Sequence, residues 1–443
     1  MRLVKITRIL AGFLLFSLAP VLYAQDIYWE DPQLFFSGSG SFPVSDHRGN
    51  VAAVAWQETS LGTDSGYIRV NLAVKQGRGQ WITRPSIAEY RYSGPAEPAI
   101  LSIAVDDQGR ILLATAVSGG ETELLISSDL GATFTRRRLE LGSESSVAPR
   151  IFTRSDGGYL LFVTRGSARE NLTIYYSRSD NGSTWSPFQP FITEQDRIIN
   201  FLPTHVSFNG REYIVYQSRV SSAELTFQLF LKSSNDNGRT WSNSIRITNF
   251  RDPTVDGSQP DQFDNQRAHL SVQQDQLFVV WERRYRSGTP QVYGTKITTT
   301  GSLYGAPDRI NVNSAYCNNP IAMELRGKTF VIWFDNSQAG RNHVMMSSQT
   351  QYGWEDAADL SREYGGEASF GRPVISNDNL IIFWQATRQN QNRIYSLAPD
   401  TSVLRPVLIA RNFIPGRRSG NSSAIIGWNP PRAGASIRGY SWS

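Results

Sequence analysis

Two arginines, Arg267 and Arg372, stand immediately before a small or proline residue that opens an apolar run. The matching place ahead of Pro43, Pro98, Pro149, Pro203 and Pro320 holds Phe42, Glu97, Ala148, Leu202 and Asn319, and Arg150 follows Pro149 directly. Asp264, His269, Tyr316 and His205 lie close by in sequence. Guanidinium groups that converge on one point can fork onto a carboxylate through paired, charge-assisted hydrogen bonds. Arg267, Arg372, Asn319, His269 and Arg150 are therefore the candidate ligand contacts. Glu97 or Asp264 could act as general acid or activate a water. Polar groups around any central funnel can equally bond to one another and to water.

For these positions to meet, the chain must bring them round one axis. The anchors Pro43, Pro98, Pro149, Pro203, Ala268, Pro320 and Pro373 are separated by 55, 51, 54, 65, 52 and 53 residues. After each comes a short strand, a turn, and a strongly apolar segment: 51–56, 111–117, 159–163, 213–216, 277–281, 329–333 and 380–384. An alternating third strand follows, as in 68–74 and 174–177, and then a fourth. Four antiparallel strands repeated about every 50 residues predict an all-β propeller of seven four-stranded blades, with six as the alternative. The second strand is apolar on both faces because neighbouring blades bury it. The segments 27–36 and 404–410 both read as a fourth strand, so either can close the ring.

A turn phrase marks three of the repeats: Ser127 to Phe134, Ser177 to Trp185 and Ser233 to Trp241, with the shared pattern S-x-D-x-G-x-T-[WF]. Asp129, Asp180 and Asp236 are expected to accept hydrogen bonds from the turn backbone. Gly131, Gly182 and Gly238 are expected to take positive φ, with Trp185 and Trp241 packing beneath. The phrase decays in the other repeats. Its expected role is folding, not catalysis.

Arg2, Lys5 and Arg8 precede an apolar run from Ile9 to Leu22, and Ala24 suits a cleavage site, so residues 1–24 read as a signal peptide. The run is short for a bilayer span, and no transmembrane segment is expected after cleavage. Removing it lowers the net charge from +5 to about +2, so charge gives no reason to expect nucleic-acid binding. The single cysteine, Cys317, rules out an internal disulfide and reads as a small buried residue. The chain is expected to be secreted, periplasmic or at the cell surface, in a bacterium. No cofactor is called for, although the long loop 252–264 carries Asp252, Asp256 and Asp261, which could hold Ca²⁺. Residues 25–411 form the propeller, 412–423 the linker, and 424–443 a separate tail.

The turn phrase resembles the Asp-box, or BNR repeat, of sialidase-like propellers, and the tail W-N-P-P with Gly439-Tyr440 resembles the opening of a fibronectin type III module, here incomplete. The first resemblance implies an exported fold with its ligand funnel away from the Asp-boxes. It also implies that Tyr316 with a carboxylate would form the nucleophile pair of a retaining glycosidase. Sialidases have six blades, and their first blade opens on F-R-I-P with an arginine that binds the substrate carboxylate. Here the stretch is Gly40-Ser41-Phe42-Pro43, with Ser41 in the arginine's place. The functional expectation is a propeller that binds a glycan or other polar extracellular ligand in its funnel. The alternatives are an exo-sialidase-type glycoside hydrolase and a propeller that binds protein.

Overall fold

The computed structural model describes residues 27–399, apart from residue 28 and the stretches 61–65, 94–96, 118–121, 140–145, 167–171, 195–198, 220–225, 250–262, 286–287, 314, 339, 363–365 and 389–390. It also describes the backbone strands Val407–Ala410 and Ile426–Asn429. The signal-peptide segment, Asp252, Asp256, Asp261 and most of the tail lie outside the described residues.

Seven antiparallel sheets form seven blades. Their innermost strands are Ser41–Arg48, Ile100–Val105, Ser146–Thr153, Ile199–Phe208, Phe263–Gln273, Cys317–Leu325 and Glu367–Ser376. The second strands are Val51–Ser60, Ile111–Ala116, Tyr159–Arg165, Arg211–Arg219, Gln276–Tyr285, Lys328–Gln338 and Asn379–Arg388. All seven apolar segments read from the sequence fall on these second strands, with Val117 alone lying past a strand end.

Side chains alternate between faces along a strand, so each second strand serves two interfaces. In blade one, Val51, Ala53 and Ala55 pack toward blade two, while Ala52, Val54 and Trp56 pack toward blade seven. The core is accordingly divided into seven wedges, one between each pair of neighbours, rather than gathered at a centre. Polar groups are thereby left free to line the axis.

The ring closes through the N-terminal side. Gln33–Phe36 pairs antiparallel with Gln391–Leu397 and becomes the fourth strand of blade seven. The rival segment pairs elsewhere, Val407–Ala410 with Ile426–Asn429. Packing favours this closure: Phe35 sits edge-on to Trp56, Trp81 and Phe383, tying blade seven to blade one.

The marked turns hold together as expected in two copies. Thr133 donates from both N–H and Oγ1–H to Asp129 at 2.9 and 2.7 Å, and Thr240 does the same to Asp236 at 2.9 and 2.6 Å. The copy in blade three is one residue shorter. There Asn181 accepts from Ser183 and Thr184 N–H, while Asp180 bonds instead to Arg154 and Arg178. Asp180 thus stands outside the turn's own bonding. Trp185 donates to the Gly182 carbonyl at 2.9 Å, and Trp241 packs against Phe162, Tyr176 and Phe191. Gly131 and Gly238 have φ of +77° and +76°, and a Cβ on either would come within 2.6 Å of a leucine of the preceding blade, Leu72 or Leu160. Each turn is seated on its neighbour, which is why glycine recurs there.

Candidate functional site

A β-bulge bends six of the seven innermost strands just before they enter the axis. Phe42, Ala148, Leu202, Arg267, Asn319 and Phe370 occupy it with φ between 48° and 57°. A positive φ is costly for a residue with a side chain, so the position must be held from outside. In three of the six, a side chain on the second strand of the preceding blade holds it. Phe42 N–H donates to Gln385 Oε1 at 3.0 Å, Arg267 N–H to Gln217 Oε1 at 2.8 Å, and Asn319 N–H to Glu282 Oε1 at 2.7 Å. In blade two, which lacks the bulge, Ala99 N–H donates in the same way to Gln57 Oε1 at 2.7 Å.

These bonds place two candidates differently from the sequence reading. The blade-seven residue equivalent to Arg267 is Phe370, not Arg372, and the blade-two equivalent is Ala99, not Glu97. Proline directly follows the bulge residue in four blades but sits two residues later than that in blade seven and two residues earlier in blade two. Glu97 is consequently exposed at the outside, and lines neither of the cavities described here. Arg372 is carried inward. A readable signal for three of the bulges was present in the dipeptides Tyr216-Gln217, Trp281-Glu282 and Trp384-Gln385 within the second strands.

Past the bulge, the first residue of each innermost strand to regain the ladder forms a tier: Val44, Arg150, Thr204, His269, Ile321 and Arg372, with Ser102 at the equivalent register of blade two. All seven border one axial cavity of about 760 Å³ to which every innermost strand contributes. Three tier side chains are spent on holding the ring, because Ser102, Thr204 and His269 Nδ1 accept from the Ile151, Leu270 and Ala322 N–H groups of the next blade.

Arg150 and Arg372 are not neutralised in this way. Among the described residues neither has a carboxylate partner, and Arg150 makes no side-chain hydrogen bond at all. Arg372 donates only to the carbonyls of Pro43 and Gly371. Both border the cavity and are half-buried. Desolvation lowers the pKa of Arg150, and it lowers that of Arg372 to about 10 with help from the charge of Arg150. His269 is held neutral, its pKa lowered to about 4 by burial first and by Arg372 second. Two cations and a neutral imidazole that border one water-accessible cavity, with no carboxylate partner for either cation, give that cavity a preference for an anion.

The remaining candidates gather at the mouth. Arg267 reaches Glu282 Oε2 at 2.7 Å and is 43% exposed, so its guanidinium is already paired and sits above the tier. It borders both the axial cavity and a small rim pocket of about 40 Å³ shared with Asp264, Gln266, Glu282, Arg284 and Tyr316. Asp264 is buried and accepts from Phe227 N–H, Gln266 and Arg284. Glu282 is buried, and desolvation raises its pKa despite the opposing charge of Arg267. Tyr316 is 43% exposed. Asn319 borders the axial cavity beside Arg267.

His205 belongs to the opposite end. It bonds to Glu212 at 2.6 Å, and Glu212 also accepts from Ser155 and Ser207, a closed structural network. Cys317 is buried and its thiol pKa is pushed up by burial and by Asp335. The Ca²⁺ expectation is corrected: among the described residues no group of three or more His, Cys, Asp or Glu is placed to hold a metal ion, and the loop carboxylates themselves lie outside those residues.

No family model matches the chain, and no curated relative aligns with it. Among solved structures, the polysaccharide lyase Uly1 is similar in fold, with a TM-score of 0.55 at 12% identity over 86% of this chain and 93% of that one. The α-L-arabinofuranosidase of Fusarium graminearum and the α-L-arabinanase of Penicillium chrysogenum give TM-scores of 0.49 and 0.48, each at 12% identity and over 68% of this chain, covering 92% and 93% of theirs. The likeness to Uly1 is one of fold alone. Among the described residues no helix is long and apolar enough to cross a membrane.

Proposed function

We propose that the axial cavity binds the acidic group of a saccharide through Arg150 and Arg372. The observation that carries this reading is the unneutralised pair of guanidiniums in a cavity to which all seven blades contribute. A half-buried cation without a counter-charge is costly, and an anion that supplies the counter-charge recovers part of that cost on binding. Arg267 and Asn319 stand at the mouth, where they can receive the rest of the ligand. The fold shared with a polysaccharide lyase is in keeping with a glycan ligand, as are the Asp-box resemblance and an export signal in residues 1–24. Residues 412–423 would then link the propeller to a fibronectin-like segment.

A second reading draws on the rim pocket. Glu282, with its raised pKa, and Tyr316 lie together there, beside Arg267 and Asp264. That is the composition of a Tyr–carboxylate nucleophile pair, and it would make the protein a sialidase-type hydrolase.

Titration calorimetry with glucuronate-, galacturonate- and sialate-terminated oligosaccharides, against neutral counterparts, tests the first reading. Binding of an acidic member that weakens in Arg150→Met and Arg372→Met supports it. Failure of every acidic probe to bind, or binding that ignores both substitutions, overturns it. Hydrolysis of a fluorogenic sialoside lost in Tyr316→Phe would establish the second.

A further inference from the structure

Two residues deeper than the cationic tier, the innermost strands present Asp46, Phe152, Val206 and Met323 to the cavity. Three of the four are apolar, and Asp46 is the exception. Its carboxylate accepts from Val105 N–H of the next blade at 2.7 Å and from the His47 N–H. The cation that bears on it is Arg48 of its own strand. Arg48 is itself engaged with Asp107 at 3.1 Å and with the Arg154 carbonyl at 2.9 Å. A half-buried carboxyl that backbone amides alone reach is costly in an apolar tier, and blades three, four and six place hydrocarbon at the same level.

We infer, resting on the acidic-saccharide reading above, that Asp46 is the second anchor of the ligand: it bonds a ring hydroxyl while Arg150 and Arg372 hold the acidic group of the same sugar. The spacing suits this. Asp46 follows the tier residue Val44 by two positions, which at about 3.3 Å per strand residue sets it about 6.6 Å farther along the axis. That is close to the span from an exocyclic carboxylate to a hydroxyl across a pyranose ring. A carboxyl can serve a hydroxyl in either protonation state, as acceptor when ionised and as donor when protonated. Asp46 would therefore decide which acidic ligands are accepted: a sugar acid fills both anchors, a simple carboxylate only one.

The anchors also communicate through charge. Burial raises the Asp46 pKa to about 7, well above the ordinary carboxylate range. A bound acid group a few ångströms away would raise it further, so by linkage anion affinity falls as pH rises through 7. The other charged or titratable groups bordering the cavity are His47 and Arg48 on the same strand, Arg150 in blade three, His205 in blade four, Arg267 and His269 in blade five, and Arg372 in blade seven. His205 is bonded to Glu212, and Arg267 to Glu282. The portions of blades two and six that border the cavity add no charged group. His47 and His269 have pKa values lowered to about 4 by burial and stay neutral across the window.

The experiment measures the affinity of glucuronate and of propionate from pH 6 to pH 8 in the wild type, Asp46→Asn, Asp46→Ala and Arg150→Met. Asparagine keeps the shape and the acceptor for Val105 N–H, and thermal melts of each variant confirm folding. The wild type is expected to prefer glucuronate by roughly fivefold, one neutral hydrogen bond's worth, and to lose affinity several-fold across the window. Asp46→Asn should keep the preference and flatten the profile, whereas Asp46→Ala should lose both. If Arg150→Met weakens binding but both Asp46 variants match the wild type in preference and profile, the inference fails and the acidic-saccharide reading stands. If Arg150→Met also binds normally, both fall.

Discussion

Arg150 and Arg154 lie four residues apart in blade three and meet opposite fates. Arg154 is almost wholly buried and fully bonded: Asp156 at 3.0 Å, Asp180 at 2.6 Å and the Asn237 carbonyl of the next blade at 2.7 Å. Arg150 borders the axial cavity with no bond to any described side chain or carbonyl. One guanidinium staples two blades, and the other has no bonding partner among the described residues. Protein interiors neutralise the cations they need for structure, so a half-buried cation left without a counter-charge is a candidate for binding a ligand.

The largest effect should separate these two residues by stability. Arg154→Ala removes the blade-three to blade-four staple and is expected to cost about 3 kcal/mol, at the lower end for a broken buried pair because its two carboxylates can be rehydrated. Arg150→Met should leave the denaturation midpoint unchanged or raise it. Equal losses in urea titrations would erase the distinction drawn here.

Binding should invert the order. Arg150→Met and Arg372→Met are each expected to weaken an acidic saccharide about 10- to 100-fold, the worth of about 1.5–3 kcal/mol for a charged hydrogen bond. Arg154→Ala, measured where it is still folded, should bind normally. An intermediate effect is expected at the bulge: Gln217→Ala strands the Arg267 N–H and should cost about 1–3 kcal/mol of stability. A cost within the noise would mean that the bulge is held by other means.

The pH dependence of stability sharpens the same contrast, because buried titratable groups cluster at the axis. His47 and His269 have folded pKa values near 4, below the ordinary 6.5. Between those values the unfolded chain binds more protons, so stability climbs with pH and this gain is complete above 6.5. Asp46 runs the other way. Its folded pKa near 7 lies above the ordinary 3.8, so its contribution is full below 3.8 and is lost as pH rises through 7. Two histidines outweigh one carboxyl below pH 6.5, and the carboxyl alone acts just above it. Denaturation midpoints across pH 4 to 8 should peak near 6.5, and Asp46→Asn should remove the decline on the alkaline side. A profile that keeps rising through pH 7 would count against the burial of Asp46. The smallest effect is expected far from the axis, where Asn181→Ala, which unties the blade-three turn, should cost about 1 kcal/mol by the same denaturation assay.

Much of the ring was legible because it is written locally. Period-two alternation and the apolar second strands reveal blades, since each blade must bury both faces of the same strand. The turn phrase reveals the hairpin between third and fourth strands in Ser127–Thr133 and Ser234–Thr240. In blade three the phrase pointed to Asp180, but the shorter turn selects Asn181, because a deletion of one residue shifts which side chain faces the backbone amides.

The site was legible only in part. Counting from proline brought Arg267, Asn319, Arg150 and His269 to one cavity, and it misplaced Arg372 by a tier and Glu97 altogether. Proline is only one way to follow a bulge, and three of the six bulges are held by an amide bond to a Gln or Glu of the neighbouring blade, 37 or more residues away in sequence. Asp46 gave no signal at all, since a lone acid in an alternating strand reads as a solvent-facing residue.

The sequence by itself determined the repeat, the number of blades and the burial of each second strand, because those depend on neighbours within about fifty residues. Tertiary structure alone decided that the N-terminal strand closes the ring and which side chains share a tier. It also decided that Arg150 and Arg372 lack a counter-charge. Those properties depend on register between separate blades, and ring geometry converts a shift of two residues into a change of tier of about 6.6 Å.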